Sequence, residues 1–170
     1  MLPILLLFLN SISLHDPPSQ DKQLQPNEAV VVKVKANEAH NRTSVQLQKG
    51  QLYEITATGQ WKDGTCAATD AAGFKASDCN SPQAGVDLGL SSMEALKRDK
   101  SSNWLCLTGS IYNQTSNSFE NILPDQQFSI GRSAKIKPAV NGKLVLFAND
   151  IVSGYGNNTG QLTVTIKRIQ

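Results

Sequence analysis

The 170-residue sequence has little of what nucleic-acid binding requires. Charged residues make up 18% of the chain and aromatic residues 6%, and the formal net charge is only +2. Proteins that bind nucleic acids usually carry clustered basic residues interleaved with aromatic ones, and no such cluster occurs here. The basic pairs Lys97-Arg98 and Lys167-Arg168 are typical of a solvated surface. We therefore expect no nucleic-acid partner.

The patterns of the common catalytic sites are also missing. The chain has two histidines, His15 and His40, and no G-x-S-x-G sequence, which argues against a serine triad. No P-loop and no G-x-G-x-x-G sequence follows a predicted strand. Carboxylate pairs are present, but no spacing singles out a pair for glycoside hydrolysis. The sequence predicts a protein that is not an enzyme and has no catalytic residues.

Long apolar runs are absent as well. The longest run lies within residues 1–14 and is too short to span a membrane, which needs about 20 residues. We predict a signal peptide at 1–14, although the usual basic start is missing. An apolar tail docked on the domain is the alternative. Residues 15–28 are then a flexible linker, and residues 29–170 form the folded domain of a secreted or periplasmic protein.

Short alternating segments predict a chain built from strands. They are rich in β-branched residues and are separated by turn residues. The predicted strands cover residues 29–36, 43–47, 51–58, 103–112, 127–130, 134–136, 144–148 and 161–166. We expect residues 29–36 to pair with 43–47, and the Lys49-Gly50 turn to join 43–47 and 51–58 in a hairpin. Many short strands with regular turns favour an all-β sandwich.

Three cysteines are too few for a disulfide-rich scaffold. Cys66 and Cys79 bracket part of a long loop, residues 63–87, and we expect a disulfide between them. A bridge from either residue to Cys106 stays open. Cys106 lies in an apolar run and is predicted to be a buried free thiol. No C-x-x-C sequence is present, so a zinc site is not expected.

One short helix is predicted at residues 88–97. Ser91 and Glu94 have the spacing of a capping box. Lys97 would point outward, and a short apolar stripe would face inward: Leu90, Met93 and Leu96.

Trp61 lies just before the long loop and is predicted to pack at the edge of the core. Stacking of its ring on a sugar is the alternative.

The most informative stretch is LVLFANDIVSGYGNNTGQLTVTI, residues 144–166. Two alternating strands flank a loop that contains one carboxylate, Asp150, and two neighbouring amides, Asn157 and Asn158. Calcium takes oxygen ligands from carboxylates, amide carbonyls and backbone carbonyls, so the loop offers a suitable donor set. The residues do not follow the order of an EF-hand. The alternative is a metal-free hairpin loop in which Asn and Asp serve only the turns.

The order ND-x-x-x-G-Y-G-N-N-T-G before an alternating strand resembles the calcium loop of the PA-I galactophilic lectin family, without gaps over residues 149–166. Residues 47–64 are similar to the second core hairpin of that family. The resemblance covers most of residues 29–64 and 128–168. It implies a galactose-binding-like β-sandwich of jelly-roll type with one short helix in a long loop. It also implies calcium as cofactor, a galactose-terminated glycan or glycoside as partner, and assembly into homo-oligomers.

Carried over residue by residue, the resemblance implies a metal and sugar site. The implied metal ligands are the side chains of Asp150, Asn157 and Asn158 and the backbone carbonyls of Asp63 and Gly154. The implied sugar contacts are Asp150, Ile151 and Asn157. The family also uses a histidine and a glutamine to hold the exocyclic hydroxyl of galactose. Residues 63–87 contain no histidine here, and Gln83 is the candidate glutamine.

The sequence therefore predicts calcium-dependent binding of a galactoside-type carbohydrate by a secreted lectin-like domain. Two alternatives stay open. One is a structural or adhesion module that binds calcium only to stiffen the sandwich. The other is a metal-free sandwich that binds proteins.

Overall fold

The structure is a computed structural model that describes residues 21–113 and 124–170. Within these ranges the chain forms β1 (Ala29–Lys35), β2 (Asn41–Leu47), β3 (Tyr53–Asp63), β4 (Leu107–Tyr112), β5 (Gln126–Ser129), β6 (Ser133–Ile136), β7 (Gly142–Ala148) and β8 (Asn158–Arg168). One α-helix, α1 (Val86–Ser92), lies between β3 and β4. The strands form two antiparallel sheets, ordered β1-β8-β3-β6 and β2-β7-β4-β5.

The core lies between the two sheets, and the predicted all-β sandwich is confirmed. In β8, Leu162, Val164 and Ile166 are fully buried, while the residues between them are more exposed. This alternation is what a strand with one face on the core must show. Strand β4 is buried along its whole length, so both of its faces are covered.

The strand pairings differ from the predicted ones. β1 pairs with β8, with Val32 opposite Val164, whereas β2 pairs with β7 in the other sheet. The turn at Lys49-Gly50 therefore carries the chain from one sheet to the other instead of closing a hairpin. The predicted pairing of β1 with β2 and the predicted β2–β3 hairpin are both wrong. Turn residues show where a chain reverses, but they do not show which sheet it enters next.

The N-terminal segment is partly described. The predicted signal peptide, residues 1–14, lies outside the described residues, as do residues 15–20. Residues 21–28 lie against the sandwich: Leu24 is fully buried, and Lys22 forms a β-bridge with Val45. These residues belong to the packed domain and do not form a linker. No helix among the described residues is long and apolar enough to cross a membrane.

The predicted helix is present, but its bounds and its cap differ. α1 begins after Gly85, which has a φ of +82°, and a separate 3₁₀ turn, Glu94–Leu96, follows it. Ser91 lies inside α1, and its hydroxyl donates a hydrogen bond to the carbonyl oxygen of Asp87 at 2.8 Å. The predicted capping box is therefore wrong.

The predicted apolar stripe is also only partly correct. Leu90 is buried and Met93 packs against the core, but Leu96 is 64% exposed because the helix ends before it. Lys97, expected to point outward, is buried and forms an ion pair with Glu94.

The long loop after β3 contains the predicted disulfide between Cys66 and Cys79, with an S–S distance of 2.08 Å. Cys106 is the buried free thiol expected from its apolar surroundings. Trp61 is 1% exposed and belongs to the core, which leaves it too buried to stack on a sugar.

Candidate functional site

One end of the sandwich holds a cleft of about 340 Å³. The end of β3, the loop between β7 and β8, and α1 meet there. The β3–β8 pairing brings the first two together, because Asp63 is opposite Asn158 at the last position of that ladder. The polar side of the cleft is formed by Asp63, Asp150, Gly154 and Asn157. Its apolar side is formed by Val86, Leu90, Met93, Trp104 and Ile151.

Asp150 is 3% exposed and is held in one orientation. The backbone N–H of Ile151 donates to its Oδ1 at 2.6 Å, and Nδ2 of Asn158 donates to its Oδ2 at 2.7 Å. A Cβ on Gly154 would lie 2.8 Å from Asp150 Oδ1 and 3.0 Å from Oδ2. The carboxylate therefore occupies the space that a side chain at residue 154 would take, which explains why glycine is present there.

Asp63 is the second carboxylate of the cleft and is 5% exposed. Nδ2 of Asn157 donates to its Oδ1 at 2.9 Å. Burial, and then repulsion by the charge of Asp150, raise the pKa of Asp63 from its ordinary value of 3.8 to about 6, against the hydrogen bond from Asn157. Burial also raises the pKa of Asp150, against the hydrogen bonds from Asn158 and Ile151. Both groups are thus costly to ionise in the folded protein.

Asn158 carries a buried oxygen without a partner. The residue is 3% exposed, and its Nδ2 donates to Asp150 Oδ2 and to the carbonyl oxygen of Ala36 at 3.4 Å. Rotating the amide by half a turn would place its oxygen against these two acceptors, so the orientation is fixed. Its Oδ1 then has no hydrogen-bond partner among the residues that the structure describes. A buried acceptor left in this state costs about 1–3 kcal/mol.

The described part of the chain forms no ion pair that neutralises the negative charge of the cleft. None of the five ion pairs formed by the described residues includes Asp63 or Asp150. No group of three or more His, Cys, Asp or Glu side chains that could hold a metal ion occurs in the described ranges. The donors are instead carboxylate, amide and backbone oxygens, which suit a hard cation such as calcium.

The loop that carries Asp150 rests on a buried polar support. Asn149 is fully buried; its Oδ1 accepts from the N–H of Asp99 at 2.9 Å, and its Nδ2 donates to the carbonyl of Asp99 at 2.8 Å. The N–H of Arg98 donates to the carbonyl of Asp150 at 3.1 Å. The guanidinium of Arg98 also donates to the hydroxyl of Tyr155 at 3.1 Å. These contacts join two segments about 50 residues apart in sequence, which no local pattern reveals.

The structure brings most of the predicted site residues together. Ile151 and Asn157 line the cleft with the polar residues named above, and Asn158 is buried behind Asp150. Gln83 reaches the cleft from the long loop with an exposed side chain. His40, the one histidine in the described ranges, does not line the cleft.

Comparisons with known proteins show a likeness of fold. No protein-family model matches the sequence, and no curated protein sequence matches it. Among solved structures, the chain is similar to the EclA N-terminal domain, described as a PllA-like lectin, with a TM-score of 0.54 and 21% identity. The match covers 81% of this chain and 94% of that chain. The chain shares its fold with a lectin domain. At this identity the likeness extends to the fold and does not assign the chain to the PA-I family.

Proposed function

We propose that this domain binds carbohydrate through a calcium ion held in the cleft. The observation that carries the proposal is the buried oxygen of Asn158: among residues 21–113 and 124–170 it has no hydrogen-bond partner, and the two carboxylates beside it form no ion pair. Burying a carboxylate is costly unless an opposite charge or a metal compensates it. A calcium ion bound by Asp150, Asn157 and Asn158, with the carbonyls of Asp63 and Gly154, would compensate both features.

A calcium ion accepts six to eight oxygen ligands and, when bound, would offer open positions to two neighbouring sugar hydroxyls. The chain's own residues would then orient the sugar. Asp150 has carboxylate oxygens that can accept a hydrogen bond from a hydroxyl, and the amide of Asn157 can donate one. Ile151 lines the cleft beside them. The shared fold with a lectin domain supports this binding function over catalysis.

For the sugar itself, we propose a galactoside-type ligand. The support is the order of residues 149–166 and the presence of Gln83, the candidate for the family's glutamine, in the lining of the cleft. The apolar wall formed by Leu90 and Met93 suits the apolar face of a sugar ring. Assembly into homo-oligomers would add avidity to weak single sites. The disulfide between Cys66 and Cys79 supports a secreted location, because such bonds persist in oxidising compartments.

A thermal melt of the protein in EDTA, in calcium, and in calcium with galactose tests the proposal. A ligand that binds only the folded state at 100 times its Kd adds about 2.7 kcal/mol of stability. We expect calcium to raise the melting temperature and galactose to raise it further. Asp150→Ala should remove both shifts. A calcium shift without any sugar effect would favour a calcium-stiffened module, and no calcium shift would favour a metal-free protein-binding sandwich.

A further inference from the structure

We infer that the side-chain carboxylate of Asp63 binds the calcium ion, so that the site holds two negative charges instead of one. The resemblance assigns only the backbone carbonyl of residue 63 to the metal, which any residue can supply. The inference rests on the proposed function and concerns what this chain adds to it.

The position of the Asp63 side chain supports a direct role. It is 5% exposed and lines the same cleft as Asp150, although a carboxylate at the end of a strand could instead face the solvent. The amide of Asn157 holds its Oδ1 at 2.9 Å, which fixes the direction of the carboxylate. The backbone carbonyl of Asp63 meanwhile accepts the N–H of Cys66 at 2.8 Å. The side chain is thus at least as well placed to reach an ion in the cleft as the carbonyl is.

The charge around Asp63 supports the same role. Asp150 lines the same cleft, and no ion pair among the described residues involves either carboxylate. Two ionised carboxylates buried on one cleft repel each other, and a cation bound between them would remove that cost. The unpartnered oxygen of Asn158, buried directly behind Asp150, is an independent sign that a cation belongs there.

A second carboxylate should raise the affinity for calcium, since the number of charged ligands is one of the features that set calcium affinity in proteins. Asp63→Asn removes the charge and keeps an oxygen that can accept from Asn157. It also keeps the backbone carbonyl. If only the carbonyl binds calcium, the substitution leaves the affinity unchanged.

The test is a calorimetric titration of calcium chloride into metal-depleted full-length protein. We expect Asp63→Asn to weaken calcium binding at least tenfold. The matched control is Asp87→Asn, which removes the same charge from an exposed residue of α1 that does not line the cleft, and which should change the affinity less than twofold. A calcium-free thermal melt of each variant establishes that it folds.

The outcomes separate this inference from the proposed function. The inference is supported if the wild type binds calcium and Asp63→Asn, but not Asp87→Asn, lowers the calcium affinity at least tenfold. Wild-type binding that Asp63→Asn leaves within twofold overturns the inference and leaves the proposed calcium site standing. Equal losses in Asp63→Asn and Asp87→Asn overturn it too, because they indicate long-range attraction and no direct contact. A wild-type protein that binds no calcium overturns both.

Discussion

Without a bound cation, Asp63 is a destabilising residue, and Asp63→Asn should stabilise the metal-free protein. The folded state raises the pKa of Asp63 from 3.8 to about 6, chiefly through burial. Each unit of pKa shift corresponds to about 1.4 kcal/mol, so the ionised group costs about 3 kcal/mol as an order of magnitude. Asp63 faces an open cleft, so solvent screening reduces this figure, which stands only as an order of magnitude.

The penalty from Asp63 depends on pH in a defined direction. Its pKa is higher in the folded than in the unfolded state, so the folded protein binds the proton more tightly. The contribution of Asp63 to stability is therefore most favourable below pH 3.8, is lost as the pH rises to about 6, and stays lost above that. The variant lacks this dependence.

Urea denaturation of metal-depleted wild type and Asp63→Asn, between pH 4 and pH 8, measures the difference. Other titrating groups contribute equally to both unfolding free energies and cancel in the difference. Asp150 is the exception: its repulsion by ionised Asp63 is absent from the variant, which also favours the variant as the pH rises. We expect similar free energies of unfolding near pH 4 and a gap of about 3 kcal/mol in favour of the variant at pH 7. A gap that does not change with pH, or a variant less stable than wild type at pH 7, would refute the reasoning.

Three further substitutions follow from the cleft. Asp150→Ala should abolish calcium binding measured by calorimetry, because it removes a carboxylate that two hydrogen bonds hold toward the cleft; retained affinity would contradict the site assignment. Gly154→Ala should weaken calcium binding at least tenfold, since its Cβ would lie 2.8 Å from Asp150 Oδ1, whereas Gly156→Ala, whose Cβ meets nothing within 4 Å, should not. Replacing both Cys66 and Cys79 by serine should lower the free energy of unfolding by about 3 kcal/mol in urea; an unchanged value would mean that the bridge does not constrain the unfolded chain.

The sequence allowed the strands to be predicted better than their partners. Alternation marks β8 clearly, because a strand with one buried face must alternate, and β-branched residues mark β1. β7 is buried almost throughout, and its continuous apolar run marks it instead. The partners depend on long-range packing instead. β7 and β8 flank one short loop and yet lie in different sheets. The loop contains the same Gly, Asn and Asp residues that a hairpin turn would contain, so its sequence does not distinguish the two connections. Sequence alone therefore suggested pairings that the sandwich does not have.

The candidate site, like the fold, was only partly predictable from the sequence. Asp150, Asn157 and Asn158 lie within nine residues of one another, so their joint chemistry was visible in the sequence. The side chain of Asp63 reaches them only through the register of the β3–β8 ladder, which pairs residue 63 with residue 158. The support from Arg98 likewise depends on tertiary contacts with the loop. Lys97 was predicted to be exposed because no local pattern reveals its buried ion pair.

The most direct test of the central claim is a calorimetric titration of methyl galactoside into the protein, once saturated with calcium and once in EDTA. The account predicts sugar binding in calcium, none in EDTA, and none in Asp150→Ala under either condition. Equal sugar affinity with and without calcium would contradict the claim that the ion holds the sugar. Calcium binding without any affinity for galactoside would contradict the proposed ligand.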